Sequence, residues 1–275
     1  MKKSIGGSIE SAANGDYTVD VKAVLTEAWQ LTLKSRISIN LGIFFVLIFG
    51  MMVSYIASDF FGGIEQVFKE AQEGNGQALQ MINIIVTIAV WPFIAGVEMM
   101  GVYHAINKPT QANMVFSFLS RGSWVALTAL LTSVLISIGF ELLIIPGILL
   151  AVMLSLTVPL VVEKKLSPVQ AIVLSIKALR FKIVALLSIF IILFMSLIFL
   201  IFPMALLMTS SLAPLAIMVF LYGLSYLAPW YYNVKGVLYR DVFGIYVDEH
   251  EKNSTLTNSS SNDSEHNGSD DTFSA

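Results

Sequence analysis

Two glutamates lie within long apolar stretches of the sequence and are the candidates for chemistry. Glu98 lies towards the end of the apolar stretch 82–102, and Glu141 lies within the stretch 124–162. An ionisable side chain inside a membrane span costs at least ~2.5 kcal/mol on insertion scales, so such a residue is a functional candidate. A carboxylate at position 98, after the helix-kinking Pro92, could carry a proton or contact a cation. The structural alternative is that Glu98 hydrogen-bonds a neighbouring helix or meets headgroups and basic loops.

The second glutamate and the other polar residues give weaker indications of a site. Glu141 lies five residues before Pro146 and is predicted to sit at a wetted helix end, with an ion or proton contact as the alternative. Glu98 and Glu141 are placed near opposite ends of the membrane, so they do not form an intramembrane catalytic pair. Asn83 and His104 are predicted to be interfacial residues rather than ligands.

Motifs for catalysis and for cofactor binding are missing from the sequence. It has no nucleotide-binding glycine loop, no G-x-S-x-G, no H-E-x-x-H and no stretch outside the apolar segments that could fold as a catalytic domain. The three histidines are scattered and cysteine is absent, which removes metal-site spacing, thiolate chemistry and disulfides. We therefore expect no catalytic residue, no cofactor, no metal and no enzymatic activity.

The composition requires a membrane environment. Apolar residues make up 56% of the chain and charged residues 13%, against about 25% charged residues in soluble domains. Such a chain cannot cover a water-facing surface. The residues before Arg36 contain no continuous apolar stretch, so the first apolar segment is not expected to be a cleaved signal peptide.

The apolar stretches predict six membrane spans, each of about 20 residues. One span falls at 37–57 and one at 82–102, two fall within 124–162 with a turn at Pro146–Gly147, and two fall within 183–234. The predicted fold class is all-α, a polytopic six-helix transmembrane bundle of three hairpins with short cytoplasmic amphipathic helices.

The lysines and arginines predict the orientation. With both termini inside, every lysine and arginine except Lys69 falls on the cytoplasmic side, as the positive-inside rule requires. The expected location is therefore a bacterial inner membrane, with cytoplasmic N- and C-termini. Five basic residues near the membrane surface are also candidate contacts for anionic lipid headgroups; they are Lys164, Lys165, Lys177, Arg180 and Lys182.

The predicted domains follow from these spans. Residues 1–36 form a cytoplasmic segment, flexible over 1–19 and then carrying an interfacial helix capped by Asp20. Residues 37–247 form the six-span membrane domain. Residues 248–275 are rich in Ser, Asn and acids and form a disordered polar cytoplasmic tail.

Two similar tetrapeptides suggest an internal repeat. Residues 101–104 read GVYH at the end of the second span, and residues 236–239 read GVLY after the sixth. Parallel repeats occur in transporters. The alternative is that such patterns arise wherever an apolar helix leaves the membrane.

The stretch from about 139 to 182 resembles a known family. It contains Ile-Ile-Pro-Gly-Ile at 144–148, Pro-Leu-Val-Val at 159–162, an acidic and basic turn, then Ser167-Pro168 and a basic amphipathic helix. This pattern is similar to a family of uncharacterised six-span bacterial inner-membrane proteins and to the membrane domain fused to some glycerophosphodiester phosphodiesterases. The resemblance implies a shared six-helix fold and an inner-membrane location. It implies no catalytic residues, because the phosphodiesterase activity of the fused proteins belongs to a separate soluble domain.

The sequence predicts a non-enzymatic integral inner-membrane protein with an unspecified structural or envelope-maintenance role. The alternative is a small transporter or channel that uses Glu98 as an intramembrane proton- or ion-contacting group. The lipid bilayer is the expected partner, and no nucleic acid is expected. A water-filled cavity at Glu98 lined by several helices would favour transport.

Overall fold

The computed structural model describes residues 2–248, which are predominantly helical. Six stretches are long and apolar enough to cross a membrane, which confirms the predicted number of spans and an integral membrane protein. The helices are α1 Ile9–Asn14, α2 Val21–Asp59, α3 Ile64–Gln72, α4 Gln77–His104, α5 Gly122–Leu142, α6 Ile144–Met153, α7 Thr157–Glu163, α8 Pro168–Leu179, α9 Ile183–Leu207 and α10 Ala213–Phe243. Strands β1 Lys2–Ile5 and β2 Ile245–Asp248 pair antiparallel. The predicted tail lies, from residue 249 onward, outside the described residues.

Three helical hairpins form the bundle. Helix α2 packs on α4, α5 packs on α6, and α9 packs on α10, while α10 also packs closely on both α2 and α4. Helices α4 and α10 run in the same direction and finish at one end of the bundle, where α5 and α8 begin. We call this end the basic end, because it carries Lys108, Arg121, Lys164, Lys165 and Lys235.

The first described residues are more ordered than the sequence indicates. Asp20 caps α2 by accepting a hydrogen bond from the Ala23 N–H, as predicted. The helix it starts does not form a separate surface element, because α2 continues into the first span with a local break at Ser35. The prediction of a flexible segment over 1–19 is wrong for its described part, which forms β1 and α1. These elements are held by pairing with β2 and by the Gly7 N–H, which donates to the Arg240 carbonyl.

The turn between the third and fourth spans lies earlier than Pro146–Gly147, so that prediction is wrong. Leu143 is extended, with φ −163° and ψ 155°, and separates α5 from α6. Pro146 lies in the first turn of α6, where a missing N–H costs no helical hydrogen bond, and the Gly147 N–H donates to the Leu143 carbonyl at 3.3 Å. Gly147 serves close packing: a Cβ atom built on Gly139 would lie 2.9 Å from the Gly147 Cα.

The fourth span is a broken helix, with α6 ending at Met153 and α7 beginning at Thr157. Pro159 is the third residue of α7 and has no N–H to donate to the Ser155 carbonyl, so a helix continuous through the break would lack that bond. Hydroxyl groups bind the carbonyls there: Ser155 donates to Val152 O at 2.7 Å, Thr157 to Leu154 O at 2.7 Å and Ser175 to Met153 O at 2.6 Å. Such bonding is what permits irregular backbone at membrane depth.

The largest hydrophobic core lies at the basic end. It joins α1, the first half of α2, the end of α4, α7, α8 and the end of α10. Tyr17 seals one side by donating to the Ala178 carbonyl at 2.8 Å, and burial raises the pKa of Tyr17 to about 12. Arg240 closes the other side: its guanidinium binds both carboxylate oxygens of Glu27 and donates to the Ala105 carbonyl at 2.8 Å.

An aromatic cluster marks the membrane boundary near the basic end. The Trp29 ring lies 5.7 Å from Trp230 and 6.1 Å from Tyr226, and the Arg36 guanidinium lies 4.0 Å above the Tyr226 ring. Trp and Tyr concentrate at membrane interfaces, where their rings have both an apolar and a polar side. Farther from the basic end, the span helices expose many large apolar side chains, as lipid contact requires.

Candidate functional site

The candidate site forms where α4 crosses α10. A Cβ atom at Gly236 would lie 2.0 Å from the Gly101 carbonyl oxygen, and one at Gly101 would lie 2.2 Å from the Tyr232 carbonyl oxygen. Only glycine allows the two backbones to approach this closely. The similar segments 101–104 and 236–239 therefore meet at their glycines. Glu98 and His104, three residues before and after Gly101 on α4, bond to Lys235 and Asn233 of α10, respectively.

Glu98 and Lys235 form a buried ion pair at this crossing. The Lys235 ammonium binds the Glu98 Oε1, and the two side chains are 6% and 3% exposed, respectively. Glu98 Oε2 has no hydrogen-bond partner among the described residues. The Lys235 ammonium also lies 5.6 Å from the Tyr231 ring centroid. The pair therefore has unused hydrogen-bonding capacity in a buried location.

Because Glu98 and Lys235 are buried, the energetic cost of each charge depends on the presence of the other. Removing either ion from water costs several kcal/mol, which their mutual attraction offsets only in a close pair. A buried acceptor without a donor costs a further ~1–3 kcal/mol. Glu98 Oε2 is thus an energetic cost that a bound hydrogen-bond donor would remove.

A second polar cluster lies on the other side of the same crossing and is centred on His104. It links α2, α4, α10 and the loop after α4. Its hydrogen bonds join Ser38 Oγ to Thr110 Oγ1 at 2.6 Å, Thr110 Oγ1 to His104 Nε2 at 2.6 Å, His104 Nδ1 to Asn233 Oδ1 at 2.9 Å, Asn233 Nδ2 to Thr32 Oγ1 at 2.8 Å, and Thr32 Oγ1 to the Ala28 carbonyl at 2.8 Å.

The order of the hydrogen bonds in the His104 network determines which atom donates and which accepts in each one. The Asn233 amide nitrogen donates to Thr32, so its Oδ1 accepts from His104 Nδ1–H. A neutral imidazole then accepts at Nε2 from the Thr110 hydroxyl. Both ring nitrogens of His104 are used, and the network leaves His104 no free site for a ligand.

The His104 network has a structural consequence in α2. Thr32 and Ser38 lie three residues before and three residues after Ser35, the residue with non-helical φ −136° and ψ 22°. The network binds the helix on both sides of this break. It thereby connects the two parts of α2 that flank Ser35 to α4 and α10.

A large cavity begins at the ion pair and extends into the membrane. Its volume is about 900 Å³, at the upper end of the ~300–1,000 Å³ typical of small-molecule sites. It is lined by residues of α2, α4, α5, α6, α7, α9 and α10 and of the break between α6 and α7, which are mostly Leu, Ile, Val, Ala and Phe. Glu98 and Lys235 are the charged residues among them.

The rim of the cavity is open. Phe140, Ile191 and Phe194 all border the cavity, and they are 46%, 48% and 57% exposed. These residues lie on membrane-spanning helices, so the opening faces the bilayer. A molecule dissolved in the membrane could enter from the side between α5 and α9.

The two predicted site residues have different outcomes. Glu98 bonds a neighbouring helix, as the structural alternative expects, and it also borders the cavity; its contact with a proton or an ion stays a prediction. Glu141 is exposed near the end of α5 away from the basic end, and the structure does not bring it near Glu98. Asn83 is exposed. The prediction that His104 is interfacial is wrong, because it is 2% exposed and bonded at both nitrogens.

The structure adds Lys235 and Asn233, which the sequence interpretation missed as site residues. Lys235 was counted among the charges that set topology. One signal was available: alignment of 101–104 with 236–239 places Lys235 at the position of Met100, within two residues of Glu98. If the two similar segments are placed in contact, the Lys235 ammonium lies beside the Glu98 carboxylate.

The basic residues predicted to meet lipid headgroups differ in availability. Lys164 is not free: its side chain is 3% exposed, pairs with Glu163 at 3.1 Å and lies 3.9 Å from the Tyr246 ring centroid. The contact with Tyr246 forms because α7 ends beside β2. The other four, Lys165, Lys177, Arg180 and Lys182, are exposed or partly exposed.

Comparisons with known proteins add no family to these observations. No family model, curated protein or solved structure matches the chain. Within residues 2–248 no group of three or more His, Asp or Glu residues could hold a metal ion.

Proposed function

We propose that this chain is a non-enzymatic membrane protein with an envelope-maintenance role, and that it performs this role by binding a membrane-resident amphiphile in its cavity. The observation that carries the proposal is the 900 Å³ apolar cavity with one charged pair at its end. Ligand sites are typically apolar with a few converging polar groups that fix orientation. An apolar lining disfavours a path for hydrated ions and suits a hydrocarbon chain.

The break in the fourth span supports the same proposal. Val152, Leu154, Ser155 and Val158 all border the cavity at or beside the break. Hydroxyl groups bind three of the carbonyls at the break, and apolar side chains dominate the lining that the break gives the cavity.

Occupancy of the cavity can be tested directly by native mass spectrometry of the protein released from membranes. Ala228 borders the cavity on α10, so Ala228→Phe should fill it and reduce the co-purified amphiphile several-fold. Ala205 is exposed on α9, and Ala205→Phe is the matched control that adds the same side chain facing lipid. Equal amphiphile retention by both variants would contradict the proposal.

The second candidate function is a small transporter or channel in which Glu98 contacts a proton or ion. The observation that favours it is the free Oε2 of Glu98, a buried acceptor in a residue that borders the cavity. Proteoliposome flux of protons through the native protein and through Glu98→Gln tests this function. Faster flux through the native protein would support it, and equal flux would remove it.

The proposed location is a bacterial inner membrane with both termini in the cytoplasm. The clustering of lysines and arginines at the basic end supports it, as does the resemblance of 139–182 to six-span inner-membrane proteins. Anionic headgroups are the proposed partners of the accessible basic residues at 165, 177, 180 and 182. A reporter fused after Glu73 should be outside and one after Asp248 inside; the opposite result would reverse the orientation.

A further inference from the structure

We infer that the molecule bound in the cavity is a chain-bearing amphiphile with an uncharged head that both donates and accepts hydrogen bonds, such as a hydroxyl, seated at Glu98 and Lys235. This inference rests on the proposed binding function and specifies its ligand class. It follows from the charge, the hydrogen-bonding capacity and the depth of the ion pair.

The charge of the site favours a neutral head. The carboxylate and the ammonium cancel, so the polar end of the cavity carries no net charge. An anionic head would bind the Lys235 ammonium and a cationic head would bind the Glu98 carboxylate, and each would add one uncompensated net charge to an apolar cavity. Burial of such a charge is far more costly than burial of a hydrogen-bonded neutral group.

The hydrogen-bonding capacity of the pair specifies the head further. Glu98 Oε2 is an acceptor without a donor among the described residues. The ammonium of Lys235 carries three N–H donors, and its hydrogen bond to Glu98 uses one. A hydroxyl can donate to the carboxylate and accept from the ammonium at the same time. An ester or an ether accepts only and would leave the carboxylate oxygen unsatisfied.

The depth of the pair agrees with the orientation of an amphiphile in one leaflet. Lys235 lies five residues beyond Trp230, about 7.5 Å along α10 on the headgroup side of the aromatic cluster. The cavity-lining positions run from 224 to 235 on α10 and from 187 to 197 on α9, about 16 Å along each helix. The part of α10 on the apolar side of Trp230, positions 224 to 230, covers about 9 Å, which lies within one half of the ~30 Å hydrocarbon core. A chain held head-first at Glu98 would keep the direction it has in the leaflet.

The test is a binding series in which the probes share one oleyl or oleoyl chain and differ in the head. The probes are monooleoylglycerol, methyl oleate, oleyl sulfate and oleylamine, each titrated into the native protein in nanodiscs and read by native mass spectrometry. Protein-free nanodiscs correct for partition into the bilayer. Monooleoylglycerol should bind at least about tenfold more tightly than each of the other three, since one unmatched polar or charged group costs more than ~1.4 kcal/mol.

Two variants should invert the preference. Glu98→Gln leaves the ammonium alone and should make oleyl sulfate the strongest ligand. Lys235→Met leaves the carboxylate alone and should make oleylamine the strongest. These changes in ranking within one variant do not depend on its overall stability.

The outcomes separate this inference from the proposed function. Charged probes or methyl oleate that bind the native protein as tightly as monooleoylglycerol, with all binding blocked by Ala228→Phe, would overturn the assigned head and retain the binding function. Absence of binding by every probe, or binding unaffected by Ala228→Phe, would overturn both.

Discussion

Two polar clusters flank the same glycine crossing, and they differ in how completely their hydrogen bonds are satisfied. In the His104 network each side chain from Thr110 to Thr32 both donates and accepts a hydrogen bond, between the Ser38 hydroxyl at one end and the Ala28 carbonyl at the other. In the Glu98–Lys235 pair, one carboxylate oxygen has no partner among the described residues. The first cluster borders packed protein and the second borders a cavity. The saturated bonds of the first cluster indicate a structural role, and the unused capacity of the second supports the proposed binding role.

The largest expected effect comes from removing the ammonium of the unsaturated cluster. Lys235→Met leaves a buried carboxylate without its counter-ion and should lower the free energy of unfolding by about 3–4 kcal/mol. Unfolding in detergent micelles, followed by helical circular dichroism, measures the loss.

The double variant Glu98→Leu/Lys235→Met is the control for this prediction. Replacing both charges by apolar groups is often neutral or stabilising, so the double variant should recover most of the stability while losing selective binding of the hydroxyl-bearing probe. A double variant as unstable as Lys235→Met would show that the charge pair is not the source of the loss.

A substitution at the glycine crossing, which carries both clusters, should lower the free energy of unfolding almost as much as Lys235→Met does. Gly236→Ala places a Cβ atom 2.0 Å from the backbone oxygen of Gly101, a contact that no rotamer change relieves, so we expect a loss of about 2–3 kcal/mol. Gly50→Ala is the matched control, because its Cβ atom would meet Val90 Cγ2 at 3.5 Å, an ordinary contact. Equal melting temperatures for the two variants would contradict the close crossing.

The saturated cluster should affect stability without affecting binding. His104→Leu leaves Asn233 Oδ1 and Thr110 Oγ1 without their partner, and we expect a loss of about 2 kcal/mol. Binding of the hydroxyl-bearing probe should stay within about twofold of the native value, because the cavity and the ion pair remain intact. A large loss of binding would remove the distinction between the two clusters.

A hydrogen bond outside both clusters gives a reference value for what one buried hydrogen bond contributes to stability. Tyr17→Phe removes the bond to the Ala178 carbonyl and should cost about 1 kcal/mol. The pKa of Tyr17 is raised to about 12 in the folded protein from about 10 for a free phenol. Its contribution is therefore complete below about pH 10 and is lost as the pH rises towards 12. Melting temperatures of the native and Tyr17→Phe proteins should differ by a constant amount from neutral pH to about pH 10.

Most of the fold follows from the sequence, because membrane spans depend on local composition. The six spans and the Asp20 cap are local features, and each is confirmed. The turn at Leu143 was missed because Pro146–Gly147 is also compatible with a helix start. The order in β1 and α1 was missed because it depends on contacts with β2 and α10, which are distant in sequence.

Only one of the two charged site residues could be predicted, because the site also depends on contacts between residues that are distant in sequence. Glu98 is conspicuous because charges are rare within apolar stretches. Lys235 is not, since a lysine after a span is what topology requires. Its burial depends on Gly101 and Gly236 meeting, a contact that appears only when two distant helices are placed together.

The most direct measurement is an experimental density map of the protein in nanodiscs of native lipid, without added amphiphile. The account predicts elongated density in the cavity between α5 and α9, with its polar end within hydrogen-bonding distance of Glu98. A cavity closed by packing of α9 against α5, or filled by a column of ordered water at Glu98, would contradict it.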